Sequence, residues 1–277
     1  MLGQMLSKYE MNSQEQATRA LREVMQEIAL AGLYRGDFFS KAAFYGGTCL
    51  RIFHQLPRFS EDLDFSLLAD DPTFSLTPYF DAIKKEFDAL GMDVTIKQKN
   101  KTAETAIESA FLKNSTQLFD LALMGTHTVN IKFEVDTQPP LGFQTEENLL
   151  LEPFSFYVKC FSPSDLFAGK MHALLFRKWK NRVKGRDWFD FEWYIRKGIP
   201  LNLDHFNRRA TQSGNIKQPI TKTEFLPLLK ERIAVVDIDS ARQDIRRFIS
   251  DAKVLDIWSS DYFLTLAGKL KFITHAD

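Results

Sequence analysis

The chain has 277 residues, 44% of them hydrophobic and 26% charged, with 36 basic and 36 acidic side chains that cancel. This is a globular composition, long enough for one large domain or two ordinary ones. It excludes a protein that captures nucleic acid by overall charge, so any such contact must come from a local patch. Cys49 and Cys160 are too few and too far apart in sequence for a disulfide framework or a zinc site. No apolar run reaches the roughly 20 residues that span a bilayer, and the N-terminus lacks the basic start and apolar core of a signal peptide. The expectation is a cytoplasmic protein that does not engage membranes, with a core rich in aromatic rings because 25 residues are phenylalanine.

In chain order, Ser13-Gln14-Glu15-Gln16 fits a capping box, and Ala17, Leu21, Val24 and Ile28 recur behind it at helical spacing, with Gly32 as a stop. The paired glycines Gly46 and Gly47 follow a short apolar run at 42–45. A helix is predicted over Thr48–Leu56, ended by Pro57. Asp62-Leu63-Asp64-Phe65-Ser66-Leu67 then alternates polar and apolar, the pattern of a half-buried strand. On a strand, residues i and i+2 point the same way, so both carboxylates project from one face and Leu63, Phe65 and Leu67 from the other. Neighbouring carboxylates repel unless a cation sits between them. Oxygen ligands suit Mg²⁺ or Mn²⁺. Beside a glycine turn whose backbone N–H groups can face a phosphate, the pattern points to metal-assisted phosphoryl or nucleotidyl transfer.

Thr77-Pro78 opens an amphipathic helix that reaches Gly91. Asp93–Lys99 and Thr105–Lys113 read as antiparallel neighbours whose lysines, Lys97, Lys99, Lys101 and Lys113, form a solvated face. Val129–Asp136 is the next strand, with Ile131, Phe133 and Val135 on one face and Lys132, Glu134 and Asp136 on the other. The segment 138–153 reads as a surface loop, and Phe154–Cys160 as a strand. Ser162-Pro163 opens a helix, and from there helical signals dominate, so a boundary falls between residues 1–160 and 161–277. Lys170, Leu174 and Arg177 share a helical face by their spacing. Gly185 closes a basic loop, and Asp187 and Asp190 lie in the first turns of the next helix. Arg177, Lys178, Lys180, Arg182, Lys184 and Arg186, with Trp179 and Trp188 interleaved, read either as a solvated helix end or as an RNA contact with rings for stacking. Further helices are predicted at Asp204–Thr211, Thr223–Arg232, Ser240–Ser250 and Asp261–Lys271.

Two blocks carry a family resemblance. Gly46-Gly47-Thr48, Arg51 and Arg58-x-Ser60-x-Asp62-Leu63-Asp64-Phe65 form the first; Lys170 followed by Arg186-Asp187-x-x-Asp190 forms the second. Together they resemble the nucleotidyltransferase-fold toxins of bacterial AbiE-type abortive-infection systems, which are type IV toxin–antitoxin toxins and distant relatives of the DNA polymerase beta superfamily. The resemblance implies an α+β fold: a mixed nucleotidyltransferase sheet with flanking helices, then a helical C-terminal domain that contributes its Lys and Asp to the active site. It implies transfer of a nucleotidyl group from an NTP, with Mg²⁺ or Mn²⁺, to an RNA acceptor such as the tRNA 3′ end. Asp62, Asp64, Lys170 and Asp187 would be catalytic. The metal would sit on Asp62 and Asp64 with Glu134 as third ligand, Asp136 being the second choice. Gly46, Gly47, Thr48, Arg51, Ser60 and Lys170 would bind nucleotide, with Arg186 and Asp190 as additional members. Arg177, Lys180, Arg182 and Lys184 would meet RNA. The expected partner is a cognate antitoxin, a transcriptional regulator encoded nearby. A protein or small-molecule acceptor, or a non-catalytic nucleotide-binding module, are the alternatives.

Overall fold

The computed structural model describes residues 1–99, 116–123, 129–178 and 183–274. It divides into two compact units. The first comprises Met1–Gln55, Phe59–Pro139 and Thr145–Cys160; the second Leu56–Arg58, Pro140–Gln144 and Phe161–Asp277.

The first unit opens with a short helix α1 (Leu2–Leu6) and the long α2 (Gln14–Arg35). Ser13 caps α2 by accepting from the Gln16 amide, while the Gln16 side chain reaches back to the Asn12 amide rather than to Ser13. The helix does not stop at Gly32. A Cβ there would lie 2.5 Å from the Ile83 Cα, so this glycine admits a neighbouring backbone and the helix runs on to Arg35. Strand β1 (Ala42–Tyr45) leads into α3 (Gly46–His54), which begins at the glycines, two residues before the predicted start, and ends at a left-handed Gln55 before Pro57 is reached. Strand β2 (Asp62–Leu67) has the predicted alternation, with Leu63 and Phe65 fully buried. Thr77-Pro78 forms a 3₁₀ turn ahead of α4 (Phe80–Asp88) rather than its cap.

Strand β3 (Val94–Lys99) pairs antiparallel with β4 (Thr116–Leu123), a strand the sequence pattern did not reveal; the predicted Thr105–Lys113 strand lies outside the described residues. Lys97 is exposed, as a solvated face requires. Then come β5 (Asn130–Asp136), β6 (Thr145–Leu150) and β7 (Phe156–Phe161). The surface-loop reading of 138–153 is thus corrected. Thr145-Glu146-Glu147-Asn148 has too few apolar residues to announce the strand, which lies at the sheet edge where little burial is demanded. The sheet order is β3-β4-β5-β2-β1-β7-β6, with β2 parallel to β5 and antiparallel to β1. Under it the core is aromatic: Phe65 meets Phe38 at 5.0 Å and Phe44 at 5.2 Å between ring centroids. Distant in sequence, Cys49 and Cys160 meet as buried free thiols, and burial first, then hydrogen bonding to Cys160, pushes the Cys49 thiol pKa up.

The second unit is mostly helical. Helix α5 (Pro163–Phe176) starts at Ser162, whose hydroxyl accepts from the Asp165 amide, and Arg232 donates to the Leu174 and Arg177 carbonyls at its end. Helix α6 (Gly185–Lys197) follows, then a two-residue strand β8 (Leu201–Asn202), α7 (Leu203–Gln212), α8 (Lys222–Val235), α9 (Ile238–Arg246), α10 (Ser260–Ala267) and β9 (Phe272–Ile273), which pairs parallel with β8. Trp188 is fully buried against Phe263 at 4.9 Å, so its ring belongs to the core and offers no stacking face to RNA. Among the described residues no helix is long and apolar enough to cross a membrane.

Gly185 sets how closely α6 approaches α9. A Cβ there would lie 1.9 Å from the Ala241 carbonyl oxygen, and the Gly185 amide donates to Asp244 at 2.9 Å. Gly185→Ala is therefore expected to destabilise the protein by about 2 kcal/mol or more, read as a lower thermal midpoint. An unchanged midpoint would contradict this packing.

Candidate active site

Asp62 and Asp64 sit half-buried on one face of β2. Their positions follow from strand register. Asp64 lies opposite Tyr45 on β1 and opposite Glu134 on β5; Asp62 lies opposite Lys132. Glu134 therefore stands beside Asp64, while Asp136, two residues on, is turned into its own loop and accepts from the Gln138 amide at 3.2 Å. Lys132 forms an ion pair with Glu134. Burial works against its charge. Hydrogen bonding to Glu134, with the negative charges of Glu134, Asp62 and Asp64, outweighs that and holds the Lys132 ammonium pKa above its ordinary value. A side-chain cation thus stands in the field of these carboxylates.

Gly46 is the tightest element of the site. Its φ is +86°, and a Cβ would lie 2.3 Å from Asp64 Oδ2. Only a residue without a side chain lets the β1–α3 turn close over that carboxylate. Gly47 and Thr48 continue as the buried first turn of α3, where Tyr45 gives no side-chain cap and no acidic residue is present. The Thr48 hydroxyl donates to the Asp62 carbonyl and so pins α3 to the start of β2. The Arg51 Nε donates to Glu23 at 3.0 Å, and its guanidinium lies 5.3 Å from the centre of the Phe59 ring. Ser60 is buried, and its carbonyl accepts from Gln26 at 3.1 Å.

Lys170, on α5, has its Nζ 2.8 Å from Asp190 Oδ2. Asp190 is fully buried and also receives the Arg58 guanidinium in a two-pronged contact, Nε to Oδ1 at 2.6 Å and Nη2 to Oδ2 at 2.7 Å. Burial alone would raise the Asp190 pKa; the charges of Arg58 and Lys170 and their hydrogen bonds overcome it and hold it below its ordinary value. Asp187 makes a different pair, accepting from Arg177 at 2.6 Å. The arrangement gives Lys170 to Asp190 rather than to Asp187. The Arg186 guanidinium lies 4.3 Å from the centre of the Phe248 ring, and Lys184 is half-buried ahead of α6. Lys180, Arg182 and Trp179 lie outside the described residues. Arg58 was visible in sequence only as the first member of Arg-x-Ser-x-Asp; its partner lies 132 positions away.

Among the described residues no three His, Cys, Asp or Glu side chains are gathered as a ready metal centre. The donors that do fit a hard cation are Asp62 and Asp64, two carboxylates sharing one strand face under Gly46. Mg²⁺ commonly takes one or two carboxylates and completes its shell with water and substrate phosphates.

The fold is that of nucleotidyltransferases. A crystal structure of JHP933 from Helicobacter pylori covers 90% of this chain and 90% of its own, at 16% identity and TM-score 0.54. A second crystal structure from H. pylori, described as that of a nucleotidyltransferase, covers 88% and 90% at 18% identity and TM-score 0.53. The nucleotidyltransferase toxin MenT4 of Mycobacterium tuberculosis H37Rv covers 97% and 98% at 14% identity and TM-score 0.50. No curated protein sequence matches significantly. Residues 28–269 match the family described as nucleotidyl transferase AbiEii toxin, type IV TA system. The chain belongs to that family: it is a nucleotidyltransferase toxin of a type IV toxin–antitoxin system, which implies an NTP substrate and a cognate antitoxin.

Proposed function

We propose that this toxin transfers a nucleotidyl group from an NTP to an RNA hydroxyl, the 3′ end of tRNA, and so blocks translation in the cytoplasm. The acceptor hydroxyl gives its proton up to water as its oxygen bonds to the α-phosphorus, the bond from that phosphorus to the β-phosphate bridging oxygen breaks, and pyrophosphate leaves. Asp62 and Asp64 would hold Mg²⁺ or Mn²⁺, with Glu134 as third ligand; bound there, the cation supplies charge stabilisation to the phosphates. The observation that carries the reading is the register of Asp64 with Glu134 under a glycine whose Cβ would strike the Asp64 carboxylate.

The remaining roles follow from where charge is available. The first turn of α3, at Gly46 and Gly47, offers backbone N–H groups to the triphosphate. Thr48 and Ser60 shape that turn and the entry to β2, and Arg51, held by Glu23, adds positive charge near them. In the second unit, Lys170 is the proposed phosphate-binding ammonium, and Asp190 holds it in place. Asp187 orders the Arg177 guanidinium; with Lys184, and with Lys180 and Arg182 in the same basic stretch of sequence, Arg177 meets the RNA backbone. The antitoxin would be a transcriptional regulator encoded beside the toxin.

The test is incubation of the purified protein with each α-phosphate-labelled NTP and total RNA. The expected label is RNase-sensitive and resides at tRNA 3′ ends. Label that survives RNase and migrates with a protein, or that enters a small molecule, would contradict the RNA acceptor.

A further inference from the structure

The carboxylates of the candidate site have a side-chain cation beside them, and it comes from the neighbouring strand. Lys132 and Glu134 lie two residues apart on β5, so they leave the strand on one face. Register sets Lys132 opposite Asp62 and Glu134 opposite Asp64, one strand away on β2. All four residues belong to the first unit. The Lys132 ammonium is ion-paired with Glu134, and the charges of Asp62 and Asp64 act on it as well. Exposure is 37% for the Lys132 side chain and 30% for that of Glu134, so water screens the pair only in part.

An ammonium so placed has two effects of opposite sign on the binding of a divalent cation. It holds Glu134 beside Asp64, which arranges the donors. It also repels a second positive charge and takes up the carboxylate that the cation would use. The second effect is the larger. Glu134 is already aimed by the strand it stands on, so the gain from further ordering is small. The repulsion between an ammonium and a dication is twice that between two unit charges at the same distance.

We propose that Lys132 is a positioning residue that competes with the divalent cation: it holds Glu134 as an internal counter-charge and must release it before Asp62, Asp64 and Glu134 can act together as ligands. This rests on the reading of those carboxylates as the metal site. The consequence is a raised threshold. More free Mg²⁺ or Mn²⁺ is needed to fill the site than the carboxylates would demand without the lysine.

The test is Mn²⁺ binding to the full chain, read by electron paramagnetic resonance at constant pH and without nucleotide, in low and in high salt. Lys132→Met keeps an unbranched side chain and removes the charge. It is expected to bind Mn²⁺ about tenfold more tightly than wild type, a gain that shrinks in high salt. Lys132→Arg keeps the charge and is expected to stay within about threefold of wild type. Thermal unfolding in chelator and in Mn²⁺ checks folding and gives a second reading: the metal-induced rise in midpoint is expected to be larger for Lys132→Met than for wild type. Equal or weaker binding by Lys132→Met would overturn the proposal, weaker binding being the mark of a lysine that only orients a metal ligand. Asp62→Asn/Asp64→Asn separates the two layers. If it loses Mn²⁺ while Lys132→Met binds like wild type, the metal site stands and only the role of Lys132 fails. If neither variant differs from wild type, the metal reading fails and the role of Lys132 with it.

Discussion

Asp64→Asn is expected to lower nucleotidyl transfer by about a thousandfold or more and to relieve growth arrest when the toxin is expressed without its antitoxin. The substitution keeps the shape of the side chain and removes its charge. Asp64 is the carboxylate over which Gly46 closes and the one registered against Glu134, so it is the group best placed to hold a hard cation against phosphate oxygens. Charge stabilisation of that kind contributes several kcal/mol at the transition state, and each 1.36 kcal/mol is a factor of ten in rate. Because the shape of the side chain is kept, the expected outcome is an inactive protein that remains folded, checked by thermal unfolding. Full growth arrest by Asp64→Asn would mean that the toxin acts without this carboxylate.

The second large effect is on stability. Asp190→Ala removes the two-pronged acceptor of a guanidinium that is 2% exposed. Breaking a buried ion pair from one side costs roughly 3–5 kcal/mol, because the remaining charge keeps its desolvation penalty without its main compensation. The pH dependence has a definite sign. The Asp190 pKa is depressed in the folded protein below its ordinary 3.8. Its contribution to stability is therefore complete above that value and is lost as pH falls through the lower, folded-state pKa. The stability gap between wild type and Asp190→Ala is expected to be constant through neutral pH and to narrow only below about 3.8. A gap that closed between pH 5 and 7 would contradict the assignment.

Much of this was legible in sequence because it depends on short-range periodicity. The alternation of Asp62–Leu67 put both aspartates on one face, and Lys132 and Glu134 fell on the expected side of the next strand. Helices α5 and α6 announced themselves by Ser162-Pro163 and by Gly185. What was hidden depends on partners remote in the chain. Gly32 looks like a helix stop until Ile83 is seen against it. Trp188 in a basic stretch looks like a stacking ring until Phe263 covers it. Strand β6 carries too few apolar residues to declare a strand, since an edge position demands little burial. Lys170 could be paired with either Asp187 or Asp190 by spacing, and only the placement of Arg58 and Arg177 distributes the two acids between them.

The most direct measurement of the carboxylate pair's role is Mn²⁺ binding, followed by electron paramagnetic resonance in the presence of a non-hydrolysable NTP analogue, for the wild type and for Asp62→Asn/Asp64→Asn. The account predicts a bound Mn²⁺ signal for the wild type and at least a roughly tenfold loss of affinity in the variant, since both hard anionic ligands are gone. Equal Mn²⁺ binding by the two proteins would contradict it.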